Sequence, residues 1–275
     1  MIRAYKYRIY PTDEQKAYLA KAFGCVRYAF NFYVREHERA WKEEKKTLGA
    51  YDLLNLFRVE KKELPWIKEA DSQSLAWAAL NVKKGYKSFW EKINSRPPHV
   101  RKKGDRPYQS YTTGGSLKVY FKQNLIHIPI VGYIRARLHR RFYGQIKHVT
   151  IKQCASGYYA SFCVDVRENS VSMKPFSLDN AVGIDVGVHH FLTLSDGTHI
   201  EMPDVSRLQH RKAFLQRRLK HQQPTSKGYE KTKLQIAKLS ERISNIRRDF
   251  HHQTAAEICK KYSAICMETI HVAGM

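Results

Sequence analysis

Residues 4–10 alternate: Tyr5, Tyr7 and Ile9 fall on one side, Lys6 and Arg8 on the other. That pattern predicts a strand with one packed face and one basic face. Pro11-Thr12 ends it, and Thr12 with Gln15 has the spacing of a capping box that starts a helix. Leu19, Phe23, Val26, Phe30, Tyr33, His37 and Trp41 then recur every three or four residues, predicting a long amphipathic helix to about Glu44. A shorter helix carrying Tyr51, Leu54 and Phe57 is expected over 51–62, stopped at Leu64-Pro65. A third covers 74–94 on a stripe of Leu75, Ala79, Val82, Tyr86, Phe89 and Ile93, ended by Pro97-Pro98. Residues 12–94 thus read as a helical bundle inserted after the first strand.

The period then changes. Short apolar runs at 117–121, 125–130, 133–138, 146–151 and 158–166 are punctuated by turn residues and predict five strands. With the N-terminal strand they suggest a small barrel. A polar linker over 167–180 leads to a strand at 181–186 that is apolar except for Asp185, and a second begins at Phe191 and ends at the turn pair Asp196-Gly197. A highly charged helical pair follows. Its first arm, 206–222, carries Leu208, Leu215 and Leu219; its second, 229–250, places Ile236, Leu239, Ile243, Ile246 and Phe250 on a coiled-coil-like seam. Residues 254–262 continue as a helix that leads into an apolar run at 263–270 carrying Glu268.

Composition sharpens the picture at one point. A formal charge of +24 on 275 residues calls for a polyanionic partner. Nucleic acid is the natural one, and neutralising ~10 or more phosphates would make binding steeply salt-dependent. No run approaches ~20 apolar residues and no signal peptide is visible, so the expectation is a cytoplasmic, nucleoid-associated protein rather than a membrane protein. Candidate phosphate contacts are Lys6 and Arg8 on the first strand, Arg101, Lys102 and Lys103 in a basic loop over 96–106, and Arg217, Arg218, Arg247 and Arg248 on the helical pair. The cysteines at 25, 154, 163, 259 and 266 form no Cys-x-x-Cys, so no zinc site is expected and reduced thiols on apolar faces are. His189-His190 and His251-His252 lack metal-ligand spacing.

Asp185 and Glu268 are the candidate metal ligands and catalytic carboxylates. An acid inside an apolar strand needs a partner for its charge, and Mg²⁺ prefers carboxylate oxygen. Backbone N–H groups at the turn could serve Asp185 equally well. A second strand with one acid favours a shared metal. Gly183-Ile-Asp-Val-Gly187 with Leu194-Ser-Asp-Gly197 resembles the first RuvC motif of the TnpB proteins of insertion sequences, relatives of the type V CRISPR nucleases. Met267-Glu-Thr-Ile-His-Val-Ala-Gly-Met275 resembles their second. The likeness extends through Tyr7-Arg-Ile-Tyr-Pro-Thr12, Gly24-Cys-Val-Arg27 with Asn31, and 146–166, so it covers essentially the whole chain.

The resemblance implies an α+β protein: a split wedge β-barrel (1–11 plus 105–170), an inserted helical recognition lobe (12–104), and a partial RuvC-like, RNase H-like domain with a basic helical hairpin (171–275). It implies a guide RNA and a double-stranded DNA target as partners, with Tyr51, Asn55, Ser72, Gln73, Thr112 and Thr113 placed to read a short flanking motif; Ser72 could equally cap the third helix. Family members carry a third aspartate beyond a zinc ribbon, past the second motif, and two-metal hydrolysis needs more than two acids. Asp179, Asp196, Asp204 and Asp249 suit that role by type but not by position. The expectation is therefore an incomplete Mg²⁺ site with vestigial acids, as in cleavage-dead relatives that repress by occupancy. The alternatives are an RNA-guided DNA endonuclease or a fragment of one, and a general RNA-binding protein. Stoichiometry is left open.

Overall fold

A computed structural model of the chain describes residues 1–103, 108–166, 180–187 and 189–268. Three of the stretches discussed above lie wholly or partly outside the described residues: 104–106 of the basic loop, 167–179 of the linker with Asp179, and 269–275 of the second motif. The chain forms two compact units, Met1–Glu168 and Asn169–Met275.

In the first unit β1 (Ile2–Tyr10) buries Tyr5, Tyr7 and Ile9 and exposes Lys6 and Arg8, as the alternation requires. The capping box forms: Thr12 Oγ1 accepts from the Gln15 N–H at 3.3 Å, and Gln15 Oε1 from the Thr12 N–H at 3.0 Å. It starts α1 (Asp13–Glu44), a single helix that ends where Lys45 turns left-handed. Next come α2 (Ala50–Glu63), a short 3-10 helix (Pro65–Glu69) and α3 (Ser72–Trp90).

Two core assignments are corrected here. Leu53 and Phe57 are the buried positions of α2, while Tyr51 is 69% exposed, because the apolar stripe runs one phase away from it. Ile93 is exposed as well: α3 stops at Trp90, Lys92 adopts a positive φ, and the N–H groups of Ile93 and Asn94 both return to the Ser88 carbonyl. The helix closes itself before the two prolines are reached. Ala29, Tyr33, Val34, Leu53, Ala79 and Val82 form the centre of the helical core, each large side chain there contributing roughly 1.5–3 kcal/mol by leaving water.

The sheet of this unit has seven strands rather than six. Its order is β2-β6-β7-β1-β5-β4-β3, with β2 (Gln109–Thr113), β3 (Lys118–Tyr120), β4 (Leu125–Ile128), β5 (Gly132–Arg137), β6 (Gln145–Cys154) and β7 (Gly157–Asp165). Every neighbouring pair is antiparallel. The expected barrel closure is not found: β2 and β3 are opposite edges and share no ladder among the described residues. β3 is only three residues long, and Leu19, Ala22 and Phe23 of α1 fill the sheet's apolar face. The turn into β6 depends on glycine. At Gly144 φ is +146°, and a Cβ would lie 2.3 Å from the Asp165 carbonyl oxygen, a conformation and an approach that a side chain does not permit.

The second unit has a four-stranded sheet, β10-β9-β8-β11: β8 (Ala181–Asp185), β9 (Leu192–Leu194) and β10 (His199–Ile200) form an antiparallel meander. β11 (Ala264–Met267) lies parallel to β8, reached through α4 (Ser206–Lys220) and α5 (Lys227–Lys261), the kind of crossover that a parallel neighbour requires. The arm expected over 229–250 and its continuation over 254–262 form one unbroken helix, α5. Leu215 and Ile243 are buried on the hairpin seam, and Leu208, Leu219, Ile236, Leu239, Ile246 and Phe250 are half-buried. β8 buries Val182 and Ile184 against Ile258 and Tyr262 of the α5 end. β11 was expected to be buried; it is an edge strand, with Ile265 and Met267 exposed. All five cysteines are free, though Cys259 and Cys266 are exposed rather than packed. No helix among the described residues is long and apolar enough to cross a membrane.

Candidate metal and nucleic-acid sites

Register decides what Asp185 and Glu268 can do. β8 and β11 pair Ala181 with Ala264, Val182 with Ile265, Gly183 with Cys266 and Ile184 with Met267. The next step in that register sets Asp185 beside Glu268, at the carboxyl ends of two adjacent parallel strands, where open α/β sheets bind ligands. Asn180 fixes the alignment. Its carbonyl accepts from the Ser263 N–H at 2.9 Å and the Ser263 hydroxyl at 3.0 Å, and its amide donates to the Lys261 carbonyl at 3.0 Å. A one-residue slip would turn every β11 side chain to the other face, so this knot between strand starts protects the acid pair at their ends.

Both acids are exposed. The burial that would have made Asp185 costly does not occur; it lies at the rim, on the face opposite Val182 and Ile184. Two hard oxygen donors side by side fit one divalent cation. Among the described residues no group of three or more His, Cys, Asp or Glu side chains is placed to hold a metal. The other candidate acids among the described residues have different partners. Asp196 accepts from Lys261 Nζ at 2.8 Å, from the Tyr262 hydroxyl and from the Thr198 N–H at 3.0 Å, and the Lys261 bond holds its carboxyl far below the usual range while raising the lysine. Asp204 accepts from the Ser206 N–H at the start of α4, and Asp249 from Gln253 one turn on. His190 pairs with Glu201 and stacks on His199 at 4.4 Å.

Of the basic candidates, Arg217, Arg218, Arg247 and Arg248 are exposed. Arg247 and Arg248 line a groove of about 440 Å³ with Lys212, Ser240, Ser244 and His251, so α4 and α5 share one cationic face. Lys6 and Arg8 are exposed on β1, yet Lys6 lies 4.3 Å over the Tyr159 ring and Arg8 donates to the Ser156 carbonyl at 3.0 Å. Arg101 sits 3.5 Å over Phe30, while Lys102 and Lys103 are exposed beside it.

The six candidate readers divide. Tyr51 and Asn55 are exposed on α2. Ser72 and Gln73 begin α3, but Asp71 rather than Ser72 is the cap, accepting from the Gln73 N–H at 3.2 Å. Thr113 is 1% exposed and donates its hydroxyl to Asp71, which joins β2 to the start of α3 and leaves Thr113 a structural role here. Thr112 shares a 2.9 Å bond with Thr150, and the Gln73 amide lies against Gly114 and Gly115. Ser72, Gln73 and Thr113 are therefore brought together around Asp71.

One feature escaped the sequence reading. A cleft of about 440 Å³ opens between α1, α3 and β2, lined by Arg27, Trp77, Asn81, Lys84, Arg101 and Gln109 among others. The signal was present in Arg27 and Asn31: Arg27 faces this cleft, and Asn31 holds its wall.

Comparison with known proteins now bears on these sites. A family model described as a probable transposase matches residues 161–275, and one described as a helix-turn-helix domain matches 1–46. An Escherichia coli (strain K12) protein named "Putative RNA-guided DNA endonuclease InsQ" is 29% identical over 278 aligned positions, covering all of this chain and 67% of the relative. The chain belongs to the TnpB family. A Streptomyces pristinaespiralis protein of the same RNA-guided endonuclease description is 27% identical, covering 99% of this chain and 68% of its own length. The Salmonella dublin virulence protein VsdF is 31% identical over 113 residues, 38% of this chain. The chain thus spans about two thirds of the length of its full-coverage TnpB relatives. In this TnpB chain residues 1–46 are one strand and one helix, β1 and α1, rather than two helices across a turn.

Proposed function

We propose that the chain is an RNA-guided DNA-binding protein of the TnpB type, which holds a guide RNA and a matching DNA target beside a short flanking motif and acts by occupancy, without efficient cleavage. In this reading β1 with the β2–β7 sheet is the wedge, α1–α3 the recognition lobe, and the second unit a partial RuvC-like domain. Lys6, Arg8, Lys102, Lys103 and the shared cationic face of α4 and α5 hold the phosphate backbone. Base pairing carries the sequence information. Tyr51, Asn55, Ser72, Gln73 and Thr112 supply the polar and aromatic groups for base edges.

What supports the cleavage side of the proposal is the pairing of β8 with β11 as far as Ile184 and Met267, the residues just before Asp185 and Glu268, which leaves those two as the acids for a metal among the described residues. Those two would hold one Mg²⁺, which when bound supplies Lewis-acid charge to a phosphate oxygen. Asp185 and Glu268 themselves fix where that charge sits, and Asn180 keeps them in step. The competing reading is a Mg²⁺-dependent endonuclease, favoured by the names of the relatives and by the presence of both acids. The experiment is to purify the protein from its host, sequence the co-purifying RNA, and incubate the complex with matched and mismatched DNA in Mg²⁺. Matched binding without nicking is expected. Nicking that Asp185→Ala abolishes would establish the endonuclease instead, and RNA binding with no DNA preference would overturn both.

A further inference from the structure

Three elements meet at Asp71. It caps α3 by accepting from the Gln73 N–H with Oδ1 at 3.2 Å. Its carbonyl accepts from the Ser74 N–H at 3.0 Å and from the Ser74 hydroxyl at 2.6 Å. Its other carboxylate oxygen, Oδ2, accepts from the Thr113 hydroxyl at the end of β2, and the Tyr18 hydroxyl of α1 hydrogen-bonds to its backbone. A helix cap needs one side-chain oxygen. The second oxygen therefore serves something besides α3: it ties the start of that helix to a residue 42 positions away, through a hydroxyl on a side chain that is 1% exposed.

The consequence falls on Gln73. Its backbone is held by the cap, and its side-chain amide lies against Gly114 and Gly115, the two residues that follow Thr113. A Cβ on Gly114 would stand 2.6 Å from Gln73 Oε1, and one on Gly115 would stand 3.3 Å from Gln73 Nε2. The pair of glycines thus leaves the space that the amide fills. Gln73 is otherwise exposed, and an exposed glutamine ordinarily keeps its rotamer freedom. Base edges are told apart by the order of their donors and acceptors. A freely turning amide offers both orders, whereas a held amide offers one and has less freedom left to lose on binding. We propose that Asp71 is a positioning residue for flanking-motif readout: its tie to Thr113 sets the Gln73 amide on the Gly114–Gly115 backbone and so fixes which base Gln73 prefers. Asp71 itself touches no base. The inference rests on the reading of Gln73 as a base-edge contact.

Three variants break the arrangement at different points. Asp71→Ser keeps a good cap, but its shorter side chain cannot also reach Thr113. Thr113→Val removes the hydroxyl from the other end. Gly114→Ala occupies the seat of the amide and leaves Asp71 and Thr113 intact; the atom it displaces ends a flexible side chain, so this variant folds. Asp71→Asn is the conservative control, because its amide can accept from the Gln73 N–H and donate to the Thr113 oxygen. Two quantities are measured. Nuclear magnetic resonance of the protein alone follows the Gln73 side-chain amide, expected to move to the position of a free glutamine in the three variants and to stay in Asp71→Asn. Fluorescence anisotropy then compares duplexes matched to the co-purified RNA, with each base in turn at each flanking position. The three variants, like Gln73→Ala, are expected to lose about tenfold in preference at one flanking position, and Asp71→Asn to keep it. Affinity for unrelated duplex stays as in the wild type for Thr113→Val and Gly114→Ala, neither of which alters net charge; a merely structural role would instead weaken all duplexes alike. An amide that stays in place in the three variants, or a preference they keep while Gln73→Ala loses it, overturns the proposal and leaves the reading of Gln73 standing. A loss in Asp71→Asn equal to that in Asp71→Ser assigns the effect to charge and overturns it too. A preference unchanged in Gln73→Ala shows that the reading of Gln73 has failed, and the proposal with it.

Discussion

Asn31 holds both backbone groups of Arg101: its Oδ1 accepts from the Arg101 N–H at 2.8 Å and its Nδ2 donates to the Arg101 carbonyl at 2.9 Å. One amide on α1 thereby does the work of a strand neighbour for an isolated segment 70 positions away. It is also what seats the Arg101 guanidinium over Phe30 at 3.5 Å. Asn31→Ala leaves two partly buried backbone groups without that partner and is expected to cost about 1–3 kcal/mol, read as a lower urea midpoint at constant slope. Asn31→Asp separates the two bonds. A carboxylate can accept from the N–H but cannot donate to the carbonyl, so its midpoint falls between those of the wild type and the alanine variant.

His37 predicts a pH dependence in the helical core. It is 2% exposed and stacked on Tyr86 at 3.8 Å, and neither ring nitrogen has a hydrogen-bond partner among the described residues, so burial lowers its pKa from the usual 6.5. The folded state thus binds fewer protons than the unfolded one below about pH 6.5. Stability is full above that pH and falls as the pH drops toward the depressed folded value, with a slope of at most ~1.4 kcal/mol per pH unit. His37→Phe keeps the ring and removes the proton site. Urea midpoints taken above and below pH ~6.5 should differ for the wild type and coincide much more closely for the variant.

Asp196 adds a second loss of stability on acidification, at lower pH. Its bonds to Lys261, Tyr262 and the Thr198 N–H depress its pKa, so the stability they confer is present above the ordinary aspartate value near ~3.9 and is lost only as acid passes the lower folded value. The latch ties the turn after β9 to the end of α5, next to Asn180 and the start of β11. Asp196→Asn weakens it at every pH above that range. Hydrogen exchange should then quicken at Tyr262 and Ser263, whose N–H groups bond to Ile258 and Asn180. Exchange unchanged from the wild type would show that the β8–β11 register does not lean on the latch.

What could be read from the chain beforehand follows the range of the interaction. The Thr12–Gln15 box, the α1 stripe and the alternation of β1 are local and appear as expected. The separation of 83 between Asp185 and Glu268 proved to be a strand register, because two apolar runs with one acid each left few ways to pair. The barrel failed for the converse reason: closure depends on which distant edges meet, and the polar run Gln109–Thr113 gave little sign of being an edge. Tyr51 and Ile93 went wrong by one helical phase and one early stop. The cleft was hidden because Trp77, Asn81 and Lys84 look like ordinary surface until Arg27 and Gln109 are set opposite them.

Gly85 puts two effects of opposite sign in competition. It lies in the middle of α3, where alanine would normally be favoured by about 1 kcal/mol. A Cβ at that position would stand 2.7 Å from Pro98 Cγ, an approach that real side chains do not make. The proline ring is stiff, so relief must come from moving the segment that carries Pro98 and, three residues on, Arg101. Overpacking of this kind costs typically ~1–3 kcal/mol, which exceeds the gain in helix propensity. Gly85→Ala is therefore expected to lower stability despite the better helix former, and to loosen Arg101 from Phe30. Thermal melting reads the effect. A variant that melts higher than the wild type would show that Pro98 yields freely and that its contact with α3 does not set this wall of the cleft.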